Sequence, residues 1–182
     1  VWPQDPSFGL ALAGGVTALH VLPGSANLIG GRSVTLRPVP SRTYQGMKFP
    51  GAPHGLKMAC GENPKRVYAQ RGPATAMGNV AGWRGYFAQG QEYLKRWKTW
   101  QEEGADPKKM PARDLEMESI AATLNGDIPA HWHCYRADEM VTAMDIAREF
   151  GFRIASFEHA VEAYKIRDYL RDSGICSLMW PD

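Results

Sequence analysis

The sequence predicts an α/β fold in which a parallel sheet is covered by helices and is either open or closed into a barrel. Three observations support this prediction. Short apolar runs of strand length recur along the 182 residues, helical patterns separate the later runs, and residues 128–159 combine a strand, a helix and a second strand. With 44% apolar residues, the chain can bury one core of ordinary size. We therefore expect a single domain, residues 1–182, containing about six strands.

The first third of the chain is predicted to hold one helix and three strands. Turn-forming residues fill positions 23–31, PGSANLIGG, and four prolines with two glycines fall within Pro38–Pro53, so we expect a loop in each place. Apolar or alternating runs around these loops predict short strands. The expected elements are the end of a short helix, formed by Pro6–Ala13, and strands at Val16–Leu22, Ser33–Arg37 and Gly55–Cys60.

Helical patterns dominate the remaining two thirds. Thr75 is a suitable N-cap for a long helix that runs to about Gln101. Gly151 follows the apolar repeat that extends from Met140 to Phe150 and is expected to cap that helix at its C-terminus. The other expected elements are helices at Leu115–Leu124 and Val161–Asp172 and strands at Ile128–His133, Phe152–Phe157 and Ile175–Met179.

Two histidines stand at the ends of consecutive strands in the βαβ unit. A crossover connection places its two strands parallel, so their carboxyl ends open on the same side of the sheet. Neighbouring strands lie about 4.8 Å apart, which allows the imidazoles of His133 and His159 to approach one point. A single histidine at a strand end is more often a hydrogen-bonded loop residue than a metal ligand, whereas two at matched positions make the two interpretations about equal. Together they form a candidate metal site.

Two further ionisable residues lie on or after the strand at Gly55–Cys60. Lys57 interrupts an apolar run, so it either points inward and has a partner or extends outward to solvent. Glu62 follows the strand and either caps the next turn or offers a carboxylate. The residues alone leave these alternatives open.

Composition excludes several classes of partner. A formal net charge of +2 calls for neither nucleic acid nor a membrane surface, and no apolar run approaches the length of a membrane span. The three cysteines are widely spaced and odd in number, so we expect no disulfide framework and a reducing, cytoplasmic location. The chain begins without methionine, which suggests a segment of a longer protein. The expected partner is a small-molecule substrate.

Four blocks of the sequence resemble successive blocks of the amidohydrolase superfamily. They cover residues 14–31, 55–78, 128–140 and 149–166, and the PGSAN-x-IGG and GENPKR stretches are the most specific of them. The resemblance is to the branch related to imidazolonepropionase and Xaa-Pro dipeptidases. It implies a (β/α)8 barrel with a metal centre at the carboxyl ends of the strands. This chain would span about strands two to seven, without the first strand's HxH pair and the last strand's aspartate.

The resemblance also implies roles for individual residues. His133 matches the metal-binding histidine after strand five and His159 the one after strand six, whereas His131 falls where the family varies. Lys57 matches a lysine that many relatives carry as a carbamate bridging two metals, and Glu62 is the competing candidate for that place. Zinc is the expected ion, because imidazole and an anionic oxygen suit it.

The family's activity implies that the full-length parent is a hydrolase of C–N bonds other than ordinary peptide bonds. Substrates of this kind are cyclic amides, amidine-like compounds and small N-acyl or dipeptide molecules, attacked at the carbonyl by a metal-activated hydroxide. The segment alone is expected to be inactive. The alternative is a catalytically silent barrel fragment with a structural or self-associating role, because an incomplete barrel exposes unpaired strand edges.

Overall fold

Residues 1–179, which the computed structural model describes, form two sheets with covering helices. The strands are β1 Leu19–Val21, β2 Ile29–Arg32, β3 Val34–Leu36, β4 Leu56–Ala59, β5 Ala130–Cys134, β6 Ile154–His159 and β7 Cys176–Met179. The main sheet has the order β2-β4-β5-β6-β7. Its strands β4 to β7 are parallel, and β2 runs antiparallel to β4 at one edge. Strands β1 and β3 form a separate antiparallel pair.

Seven α-helices connect and cover these strands in the described part of the chain. They are α1 Pro6–Ala13, α2 Tyr44–Met47, α3 Glu62–Val67, α4 Ala76–Glu102, α5 Leu115–Leu124, α6 Ala137–Phe150 and α7 Arg167–Ser173. Thr75 caps α4, since its side chain accepts a hydrogen bond from the backbone N–H of Gly78. Gly151 ends α6 in the left-handed conformation at φ 77°, as predicted. None of the described helices is long and apolar enough to cross a membrane.

One face of the main sheet is apolar and forms the core. Side-chain alternation places Met58 of β4 and Trp132 of β5 on this face, and both are fully buried. Trp83 of α4 packs edge-on against Trp132, with 4.9 Å between ring centroids. Phe87, one turn further along α4, stacks on Phe152 at 4.3 Å. Helix α4 therefore covers this face, and the polar residues of β4 and β5 lie on the opposite one.

Two predictions in the first third of the chain, a loop and a buried strand, are wrong in part. Ile29–Arg32, placed in the predicted loop at 23–31, forms β2 and pairs with β4. The register of this pair shifts between Ile29 and Gly31, and Gly31 has a φ of 101°. Gly31 therefore belongs to a β-bulge within the strand. The predicted buried strand Val16–Leu22 shortens to β1, which pairs only with β3 and stays partly exposed.

Helix α2 lies inside the predicted loop Pro38–Pro53, and the predicted helix Val161–Asp172 is interrupted. A 3-10 turn at Ala163–Ile166 precedes α7, and Ile166, with φ −125° and ψ 25°, breaks the helical path between them. The fold class is confirmed as mixed α/β with a parallel sheet and helices, although β2 makes the sheet not purely parallel. Closure into a barrel stays a prediction.

The structure contradicts the expectation of unpaired cysteines. Cys60 and Cys134 form a disulfide between the ends of β4 and β5, with their Cα atoms 5.3 Å apart. The two residues are 74 positions apart in sequence, and only the pairing of the two strands brings them together. Cys134 is fully buried on the face opposite His133, as alternation predicts. Cys176 is free and exposed.

Candidate functional site

The polar face of the main sheet brings together residues from three neighbouring strands. In the strand register, Lys57 of β4 lies beside His131 of β5, and His131 lies beside Ser156 of β6. Two residues further on, His133 lies beside Glu158. Because paired residues of parallel strands share a face, these five side chains form one polar surface. All are buried except His131, which is partly buried.

His133 and His159 meet at the carboxyl ends of β5 and β6. Their ring centroids are 4.6 Å apart and the ring planes are inclined at 72°. The register pairs His159 with Cys134, so strict alternation would place it on the apolar face. His159 instead has a left-handed backbone, with φ 69°, and Ala160 follows with φ 34°. This break in the strand accompanies the approach of the two rings.

Both imidazoles favour the neutral form. Burial, followed by the charges of His159 and Lys57, lowers the pKa of His133 to about 4. Burial and the charge of Lys57 also lower the pKa of His159. His133 is 2% exposed, and its Nε2 lies 3.3 Å from Nδ2 of Asn63. Two neutral rings at this distance present lone pairs at neutral pH.

Lys57 points into the molecule, which decides between its two predicted orientations. The residue is only 4% exposed. Its Nζ donates hydrogen bonds to the carbonyl oxygen of Pro23 and to Oγ of Ser25, each at 3.0 Å. Burial lowers the pKa of Lys57, and the nearby carboxylate of Glu158 opposes that shift. The lysine therefore ties the loop before β2 to the polar face.

Glu62 and Asn63 occupy the first turn of α3, directly after β4. The carboxylate of Glu62 is largely exposed and forms an ion pair with Lys65. Its neighbour Asn63 is the residue of this turn that contacts His133. The sequence had made Glu62 the candidate in the GENPKR stretch, whereas the structure shows that the adjacent Asn63 contacts His133.

Glu158 was also missed by sequence reasoning. It is 7% exposed, accepts a hydrogen bond from Oγ of Ser156 at 2.6 Å, and lies 3.4 Å from Nδ1 of His131. Burial raises the pKa of Glu158, but the hydrogen bonds from His131 and Ser156 and the charges of His131 and Lys57 outweigh it, so the pKa is lowered. The sequence signal that could have identified it is an acid that directly follows the apolar residues of β6.

The residues present fit part of a metal-binding set. Neutral imidazoles are ligands for zinc and similar divalent ions. Nδ1 of His133 is buried and has no hydrogen-bond partner among residues 1–179. Within those residues, however, no cluster of three or more histidine, cysteine, aspartate or glutamate side chains is arranged to hold an ion. Further ligands are needed to complete a centre.

No model of a known protein family matches the chain. Two proteins are similar to it over almost its whole length. The amidohydrolase tasK of Hapsidospora irregularis is 32% identical over 187 aligned residues, which cover 93% of this chain and 19% of that protein. The crystal structure of an amidohydrolase from Thermotoga maritima MSB8 is 41% identical, with a TM-score of 0.91, and covers 99% of this chain and 46% of that chain.

The chain thus spans about a fifth of the first relative and about half of the second. At these identities the similarity extends beyond the fold to the amino-acid sequence. The chain belongs to the amidohydrolase family, as a segment of the longer proteins that it matches.

Proposed function

We propose that this chain forms part of a metal-dependent hydrolase that cleaves C–N bonds in a small molecule. The names of both relatives, amidohydrolase, support hydrolysis of an amide-type bond. The substrate class is a cyclic amide, an amidine-like compound or a small N-acyl or dipeptide molecule, as in the imidazolonepropionase and Xaa-Pro dipeptidase branch. The full-length protein carries the activity, because the segment supplies only part of the ligand set.

The pair of rings at 4.6 Å is the observation that carries the proposal. His133 and His159 would hold a divalent ion, zinc above all, because both are kept neutral at physiological pH. When bound, such an ion polarises a carbonyl and activates water. The histidines would hold it at the carboxyl ends of the parallel strands, where catalytic residues of parallel α/β folds lie.

Lys57 is proposed to join this centre as a carbamate. An amine adds to carbon dioxide only in its neutral form, forming an N–C bond and releasing one proton. The lowered pKa of Lys57 favours that form. Its Nζ would have to leave Pro23 and Ser25, to which it now donates. Glu62 is the alternative anionic ligand, but its carboxylate would have to turn inward from Lys65.

Glu158 is proposed to fix the surroundings of the pair. Its carboxylate holds Ser156 and His131 in place and offsets the charge of Lys57 on the same face. Asn63 restrains the ring of His133 from the other side. These contacts resemble the outer contacts that orient metal-binding histidines.

The test is zinc content and amide hydrolysis in the full-length protein with His133→Ala, His159→Ala and His54→Ala. His54 is the matched control, since its Nδ1 contacts the carbonyl of Ser33 away from the pair. We expect the first two variants to lose zinc and activity and the control to retain both. Zinc retained in all three proteins would refute the assignment. A wild-type protein without zinc or activity would instead favour a silent structural segment.

A further inference from the structure

A cavity lies on the helix-covered side of the sheet, away from the polar face. It has a volume of about 540 Å³ and is formed by the N-terminal turns of α4 and α6. Its lining includes Met77, Asn79, Val80, Trp83 and Glu139. Because Trp83 packs on Trp132 and side chains alternate along β5, this cavity and His133 lie on opposite faces.

Two acceptors on the lining lack partners. Asn79 is 1% exposed, and its Oδ1 has no hydrogen-bond partner within the described residues, although its Nδ2 donates to the carbonyl of Gly61 at 3.2 Å. Leaving such a buried acceptor without a hydrogen bond destabilises the folded chain. Glu139 is half-buried and forms no ion pair in the described part of the chain; its Oε2 lies 3.8 Å from Cys60 Sγ. Oδ1 of Asn79 therefore requires a donor, and the carboxylate of Glu139 is a second acceptor on the same lining.

The other charges on the lining are already matched. Asp138 forms an ion pair with Arg136 at 3.0 Å, and Arg84 forms one with Glu149 at 2.8 Å. Glu139 is therefore the lining charge that forms no direct ion pair among residues 1–179. Burial, and then the negative charge of Asp138, raise the pKa of the Glu139 carboxyl, and the more distant charges of Arg136 and Lys65 offset this only in part.

We propose that this cavity binds a small organic cation, namely a primary ammonium group carried on an apolar body. The ammonium has three donors, enough for Oδ1 of Asn79 and the carboxylate of Glu139. Trp83 also lines the cavity, and an indole is the aromatic ring that attracts a cation most strongly. Met77 and Val80 contact the apolar body. Hydrogen bonds between charged partners are the stronger kind, so Glu139 contributes most of the selectivity.

The cavity is also connected to the turn that carries Asn63. Asn79 holds the carbonyl of Gly61, which begins that turn, and Asn63 contacts His133. The cavity and His133 therefore both have a contact with this turn. Binding itself does not depend on the hydrolase proposal, because it uses different side chains on the other face.

The experiment is an NMR titration of the 182-residue chain with benzylammonium chloride, with benzyl alcohol as the neutral probe of similar shape. We expect saturable amide shifts at the starts of α4 and α6 with the ammonium and none that saturate with the alcohol. Equal binding of the two probes, or shifts centred on His133, would overturn the proposal.

Two matched variants test the residue assignment. Glu139→Gln removes the unmatched charge with little change of shape, and Asp138→Asn removes the neighbouring charge that Arg136 already pairs. Affinity for benzylammonium should fall at least tenfold, about 1.4 kcal/mol, in the first and less than twofold in the second. Equal affinities in both variants would refute the role of Glu139. If the first variant does not fold, the comparison of the two probes on the wild-type chain still decides.

Discussion

The neutral state of buried His133 predicts a loss of stability in mild acid. The unfolded chain takes up a proton on this imidazole near its ordinary pKa of 6.5, whereas the folded chain does so only near 4. Folding is therefore favoured by this residue above pH 6.5, and the contribution is lost as the pH falls from 6.5 towards 4. A difference of about 2.5 pKa units at about 1.36 kcal/mol each amounts to about 3 kcal/mol.

The assay is urea unfolding of the metal-free chain at intervals between pH 7.5 and pH 4, for the wild type, His133→Gln and His54→Gln. Other groups also titrate in this range, so the quantity of interest is the difference in pH dependence between proteins. The free energy of unfolding of His133→Gln should fall by about 3 kcal/mol less than that of the wild type across the range. His54→Gln should follow the wild type. Parallel curves for all three proteins would refute the buried neutral imidazole.

Three further substitutions test the structure, two of them in α4 and one on the polar face. Gly85 has open space around an added Cβ, so Gly85→Ala should stabilise α4 by up to about 1 kcal/mol, whereas Gly90→Ala would place its Cβ 2.5 Å from Cγ2 of Ile120 and should destabilise by about 1–2 kcal/mol. Thermal unfolding checks both, and equal effects would contradict the close approach of α4 to α5. Replacing Glu158 by Gln should lower the pKa of Lys57 further, because it removes the carboxylate that supports the ammonium form. NMR titration of labelled lysine side chains measures this, and an unchanged pKa would show that the two groups are not coupled.

Local signals in the sequence were sufficient for the longer helices α4, α5 and α6 and for the strands of the parallel sheet, but not for the short helices α2 and α3. Thr75 and Gly151 mark the ends of α4 and α6 because capping depends on a few neighbouring residues. Strand β2 could not be predicted, because its glycines are also typical of turns and its pairing with β4 is non-local. The disulfide between Cys60 and Cys134 depends in the same way on strand order.

The candidate site was predictable where chain topology determines it. The βαβ crossover predicts that the ends of β5 and β6 are neighbours, and the rings of His133 and His159 are indeed adjacent. The sequence could not predict that Lys57 points inward, nor the contacts of Glu158 and Asn63. These depend on the register between neighbouring strands and on which side chains fill the space between them. Whether the histidines bind metal stays a prediction.

The most direct test of the central claim is a double-mutant cycle on zinc affinity in the full-length protein, with His133→Ala, His159→Ala and the two combined. If both imidazoles bind one ion, each single change should cost at least tenfold in affinity, and the double variant should lose far less than the product of the two losses. Multiplicative losses would show that the two imidazoles contribute to zinc affinity without coupling, which would contradict their joint binding of one ion. Unchanged affinity in either single variant would contradict a shared metal centre at the carboxyl ends of β5 and β6.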